Sequence, residues 1–293
     1  MSHTCDSTMM HLMVPSGHQA DLLCKTIDKV GSPLCVGIDP VKGKLPEQIL
    51  NLPVLEGFKV FTQGLIDAVS GTAAAVKFQS ACFERYGSKG IKLLGELRLH
   101  ASDAGLVVIL DAKRGDIGIS AEHYAASAIA DGPCDWITVN PYLGWDSIAP
   151  FLESGLGVFC LVRTSNPSGD SIQKQILKDG RSVAESIADL LAKEGERYVG
   201  ESGWSNVGAV VGATKPEEAI ALRVRMLHQI FLMPGIGAQG GQVEDVVQCF
   251  ADGHGALIPA SRSVIYPTPE HDWQTDIANA AKKLASELQV GTF

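Results

Sequence analysis

Eight short apolar runs punctuate this chain, at Leu34–Ile38, Ala74–Phe78, Leu106–Leu110, Trp136–Val139, Val158–Val162, Val207–Val211, Ile230–Met233 and Ala256–Ile258. Apolar side chains fill successive positions in them rather than alternate ones. That pattern belongs to strands buried on both faces, as in a parallel sheet. Between the runs lies helical spacing, for example Leu93, Leu94 and Leu97, or Val183, Ile187, Leu190 and Leu191. Eight parallel strands alternating with helices predict an α/β chain closed as a single (β/α)8 TIM barrel, with active groups at the strands' C-terminal ends. A doubly wound open sheet is the rival. It would carry a glycine-rich phosphate fingerprint after the first strand, and "GIDPVKGK" has none. Residues 1–32 are expected to form an N-terminal extension and first helix, and residues 33–293 the barrel.

Composition fits one large core. The chain has 293 residues, of which 45% are hydrophobic. A net charge of −9 and a pI near 5.4 argue against nucleic acid as a partner, since no basic face is available to neutralise phosphates. A small anionic substrate needs only a locally positive pocket. Cysteines 5, 24, 35, 82, 134, 160 and 249 show no CxxC and no metal-ligand spacing, and several lie inside apolar runs. They read as reduced core thiols, which points to the cytoplasm. No leader and no apolar segment of spanning length is visible, so no membrane association is expected.

Charged residues gather where the runs end. Asp39 closes the first, Lys77 lies within the second, Asp111 and Lys113 close the third, and Asp116 follows. Asn140 ends the fourth, Thr164 and Ser165 the fifth, and Arg262 follows the eighth. Singly, Asp39 or Asp111 could cap a helix, Arg262 could be a surface ion-pair partner, and Asn140 before Pro141 is a turn residue. Lys77 is different, because a buried ammonium must be paired. Two lysines and three acids at successive strand ends point to a functional site. "GIGAQGG" after the seventh run and "PASRS" after the eighth fall where barrels bind phosphate, with Arg262 as an added cation. The fifth and sixth runs are the most widely separated, and "RTSNPSGDS" opens a long loop there that could serve as a lid.

Several of these segments resemble one family. "DAKRGDIG" looks like the D-x-K-x-x-D signature of the orotidine 5′-monophosphate decarboxylases. "AVKFQSACFERYG", "TVNPYLG", "RTSNPSG", "PGIGAQGG" and "PASRSVIY" resemble further blocks of its bacterial-type branch, in the same order. The resemblance implies a (β/α)8 homodimer that converts orotidine monophosphate to uridine monophosphate and CO2 without metal or organic cofactor. It assigns Asp39 and Lys77 to the ribose hydroxyls and the charged network, Asp111 to the substrate carboxylate, and Lys113 to protonation of C6. It brings Asp116 from the neighbouring subunit, sets Ser165 on the pyrimidine amide edge, and gives the phosphate to Gln239 and Arg262. Ser120 departs from the pattern, standing where a threonine is usual, and the loop carrying Gln239 is short.

The chemistry fits this set. Loss of CO2 from C6 of a pyrimidine leaves a carbanion with no conjugated electron sink, so a cation is needed where charge develops. Two charges 4 Å apart at an effective dielectric of ~20 interact by ~4 kcal/mol, whereas enzymes lower barriers by about 8–23 kcal/mol. Repulsion by Asp111 is therefore too small alone, and carbanion stabilisation plus remote phosphate binding must supply the rest. Three rivals share some of these residues. A metal-dependent phosphosugar barrel would use the acids as ligands, but Lys113 would compete with the metal. A Schiff-base aldolase would use Lys77 or Lys113. A non-catalytic nucleotide binder would leave the adjacent acids unexplained.

Overall fold

The structure is a computed structural model that describes residues 17–236, 247–250 and 253–290. Its strands are β1 (Leu34–Ile38), β2 (Ala75–Gln79), β3 (Val107–Arg114), β4 (Trp136–Val139), β5 (Gly157–Arg163), β6 (Ser205–Val211), β7 (Gln229–Leu232) and β8 (Ala256–Ala260). They pair in parallel, each with the next, and β8 closes on β1. The barrel is closed, so the open-sheet rival is excluded. Helices follow the strands on the outside, among them Val54–Val69, Gly87–Asp103, Gly118–Ala130, Val183–Gly195, Pro216–Arg225 and Trp273–Val290.

Strand residues alternate between two apolar clusters. Val36, Val76, Val108, Ile137, Val158 and Ile258 point outward into the layer shared with the helices. Cys35, Ala75, Ile109, Trp136, Phe159, Ile230 and Leu257 point into the barrel. Each strand therefore feeds two cores, and this explains why its apolar run is continuous. Inside, the Trp136 and Phe159 rings stack with centroids 4.4 Å apart. The helix Gln19–Val30 adds Ala20, Leu23, Cys24 and Ile27 to that inner cluster, so the first helix belongs to the barrel's packing. All six described cysteines are unpaired and five of them are buried. Among the described residues no helix is long and apolar enough to cross a membrane.

Candidate active site

Two positions beyond the inner apolar residues, the same strands carry a second inward ring. Lys77 follows Ala75, Asp111 follows Ile109, Thr138 follows Trp136, Leu161 follows Phe159, Leu232 follows Ile230 and Pro259 follows Leu257. Because side chains alternate along a strand, residues two apart share a face. These six, with Val210, Lys113, Thr164, Ser165, Asn166 and Pro234, line a cavity of about 230 Å³ at the C-terminal mouth. A second lobe of about 210 Å³ adjoins it, sharing Lys77, Pro234 and Pro259 and adding Asp39 and Arg262.

β3 departs from regular pairing at this level. Leu110 pairs with Ile137 and Arg114 with Val139, so Asp111, Ala112 and Lys113 all face the single residue Thr138. The strand thus runs past its apolar stretch through a bulge, a device that re-aims side chains. Lys113 carries φ of +46°, alone among the described non-glycine residues in being left-handed. Its backbone N–H donates to the Thr138 hydroxyl at 2.9 Å, and that hydroxyl donates to Asp111 Oδ1 at 2.9 Å. Lys113 Nζ reaches Asp111 Oδ1 at 2.5 Å, and Lys77 Nζ reaches Oδ2 at 2.7 Å.

Asp111 is 6% exposed. Burial alone would raise its carboxyl, but the ammonium groups of Lys77 and Lys113 and their hydrogen bonds pull it down to about 2. Burial works against the Lys77 ammonium, yet Asp111 overcomes this and its pKa is raised. The cluster is therefore charged throughout, a cation on each carboxylate oxygen.

The second lobe is less complete. Burial raises the Asp39 pKa, opposed by the Ser261 hydroxyl and the charges of Lys77 and Arg262. Asp39 Oδ1 is buried without a hydrogen-bond partner. Gly37 lets the chain after β8 approach this closely, since a Cβ there would lie 1.9 Å from Ser261 Oγ.

Asp39, Lys77, Asp111, Lys113, Ser165 and Arg262 thus share one mouth. Asp116 does not line either lobe; its carboxylate accepts from the Ile117 backbone N–H at 2.9 Å. Gln239 lies outside the described residues. Asn140 does act as a turn residue, its side chain accepting from the Tyr142 N–H at 3.1 Å. Sequence reasoning passed over Thr138, whose only signal was a hydroxyl at an inward position of an apolar strand. It also passed over Arg163, 1% exposed and bound to Asp170, Gln173 and Glu218. That arginine fastens the start of the long loop after β5, so the expected lid begins as a pinned segment.

A closed barrel whose ionisable groups converge at its C-terminal mouth has the arrangement of barrel enzymes. The sequence profile of the Orotidine 5'-phosphate decarboxylase / HUMPS family matches residues 32–267, and the chain belongs to this family. It is 37% identical to the orotidine 5'-phosphate decarboxylase of Rhodopirellula baltica, over 92% of this chain and 98% of that one. Identity to the enzyme of Herpetosiphon aurantiacus is 38%, covering 88% and 92%. The solved structure of Leishmania donovani OMP decarboxylase superposes with a TM-score of 0.77 at 33% identity, covering 94% of this chain and 99% of that one.

Proposed function

We propose that this protein decarboxylates orotidine 5′-monophosphate to uridine 5′-monophosphate and CO2 in pyrimidine synthesis. The observation that carries the reading is the Lys77–Asp111–Lys113 cluster at the barrel mouth, beside a lobe that holds Asp39 and Arg262. With the pyrimidine in the first lobe, near Ser165, and the phosphate toward Arg262, C6 faces the cluster. Asp111, ionised at all physiological pH, repels the substrate carboxylate in the ground state. As CO2 leaves, the Lys113 ammonium stabilises charge at C6 and then donates the proton, which gives uridine monophosphate. Lys77 keeps Asp111 ionised and placed. Asp39, with its unpartnered oxygen, takes a ribose hydroxyl, while Arg262 and Gln239 hold the phosphate. No step calls for a metal or organic cofactor, and an ammonium already occupies each Asp111 oxygen, where a divalent cation would bind.

The reading includes a cytoplasmic homodimer whose sites are composite. Asp116 lines neither lobe of its own mouth. The segments after β3 and β4 meet where a Cβ on Gly115 would lie 3.0 Å from the Asn140 carbonyl oxygen. They carry the exposed apolar side chains Ile117, Ile119, Tyr142 and Leu143, Ile119 at 69% and Tyr142 at 84%. An isologous contact through this patch would bury them and carry Asp116 into the partner's site.

The deciding experiment is a spectrophotometric assay with orotidine monophosphate in excess chelator. Turnover is expected; none, or turnover lost on chelation and restored by a divalent metal, sinks the reading. The composite site has its own test. Lys113→Ala and Asp116→Ala chains, each nearly inactive alone, should regain activity when mixed. Half the dimers are then mixed, each with one intact site, so about a quarter of the parent's activity should return. No recovery despite demonstrated exchange of differently tagged chains places Asp116 in its own subunit's chemistry.

A further inference from the structure

A second polar cluster sits on the outward side of β2 and β3, behind the mouth. Arg114 is the residue at which β3 regains register, pairing with Val139 and accepting from the Asn140 N–H at 2.7 Å. Its guanidinium donates to Glu84 Oε1 at 2.5 Å and lies 5.3 Å from the Tyr124 ring centroid. Glu84 also accepts from the Ser80 hydroxyl, and the Ser80 backbone N–H donates to the Asp111 carbonyl at 3.3 Å. The contacts form a closed circuit, from Asp111 through Ser80, Glu84 and Arg114 back along the chain. Lys113 lies inside it.

That circuit has a physical reason. A lysine in the left-handed region stores strain, and such a conformation persists only when its surroundings over-determine it. The Lys113 side chain is 47% exposed, so packing around it does not supply the constraint. On one side Thr138 holds its backbone N–H. On the other, the chain is fixed only once Arg114 re-enters the sheet. An ion pair one-third exposed is worth little by itself. Here its effect is geometric, because it fastens the bulge at the point where Lys113 could otherwise relax.

We infer that Arg114, held by Glu84, is a positioning residue that keeps the Lys113 ammonium on Asp111 and aimed into the mouth. The inference rests on the proton-donor role proposed for Lys113. Arg114→Met keeps the stem and removes the guanidinium. It should lower kcat about tenfold or more, while the Kd for uridine monophosphate, read by calorimetry, stays within about threefold. Arg114→Lys should recover most of the turnover, because the contact to Glu84 comes from a single nitrogen and a lysine can replace it. Adding Glu84→Gln to Arg114→Met should cost little more, as expected for two members of one unit.

A kcat within twofold of the parent's for Arg114→Met overturns the inference. So does a parallel loss of turnover and nucleotide affinity, which marks general loosening. Crystal structures of the parent and of Arg114→Met read the placement directly, whatever reaction the barrel performs. Lys113 Nζ is expected on Asp111 in the first and displaced in the second; an unmoved Lys113 refutes the role. Should the parent fail to act on orotidine monophosphate, the proposed function falls, and this structural comparison still decides the positioning.

Discussion

The lower ring of inward barrel residues, which includes Ala75, Ile109, Trp136, Phe159 and Leu257, and the upper ring, which includes Lys77, Asp111, Thr138, Leu161 and Pro259, sit two positions apart on the same strands. Below, the ring packs within an apolar cluster, where the Trp136 and Phe159 rings stack to fill the space and the Trp136 indole N–H is buried without a partner. Above, the strands deliver two ammonium groups and a carboxylate, and Asp39 beyond them retains an oxygen with no partner. One scaffold thus serves two ends. The lower ring is closed by the packing of its own side chains, while in the upper ring only the reaction half has its charges paired within the chain. Its binding half, Asp39 and Arg262, is arranged for something not part of the chain. Substitutions in the two rings should accordingly fail in different currencies, turnover above and stability below.

The largest expected effect lies above. Lys113→Ala should reduce turnover by about 10²–10⁴-fold, the range of a positioned proton donor. Binding of uridine monophosphate should be largely kept, because the phosphate and ribose contacts remain. Turnover within tenfold of the parent's would remove the proton-donor role. Below, Trp136→Ala should cost about 3–5 kcal/mol of stability by opening a cavity against Phe159. Denaturant unfolding measures it, and a cost under 1 kcal/mol would show that the lower ring is not the stabilising one. Arg262→Ala comes next. It should weaken uridine monophosphate by about 1.5–3 kcal/mol and leave uridine nearly unaffected. Equal losses for both ligands would make Arg262 structural.

The two rings were unequally legible in the sequence. Strands fed by two cores give continuous apolar runs, and β1 and β4 fall on the residues those runs occupy. Lys77 stood out because a charge inside such a run is expensive unless it is used, and Asp111 and Arg262 only because they gather with it at the strand ends. Thr138 did not stand out, because threonine is at home in any strand. The bulge was hidden for a related reason. Left-handed conformation is legible at glycine or asparagine, and here a lysine adopts it, its backbone N–H held by the Thr138 hydroxyl of β4, which is remote in sequence. Arg163 was hidden because its partners, Asp170, Gln173 and Glu218, come from the loop after β5 and the helix after β6.

The smallest effects separate the two carboxylates of the upper ring, whose pKa shifts have opposite signs. Asp111 is pulled down to about 2 in the folded chain from an ordinary 3.8. It therefore contributes stability at pH above 3.8, on the order of 2 kcal/mol, and that contribution is lost as pH falls through about 2. Asp39 is raised above 3.8, burial being the main cause. Its contribution is full below 3.8 and is lost as pH rises through its folded pKa, so at neutral pH the ionised group is a cost. Replacing each by its neutral isostere at pH 7 should then act in opposite directions. Asp111→Asn leaves Lys77 and Lys113 without their counter-charge and should lower the urea midpoint. Asp39→Asn removes a desolvated charge with an unpartnered oxygen and should raise the midpoint, while weakening substrate binding through the lost ribose contact. A group that raises binding and lowers stability is one shaped for a ligand. If Asp39→Asn is instead less stable than the parent, Asp39 is satisfied by the protein itself, and the division between a finished reaction half and an unfinished binding half does not hold.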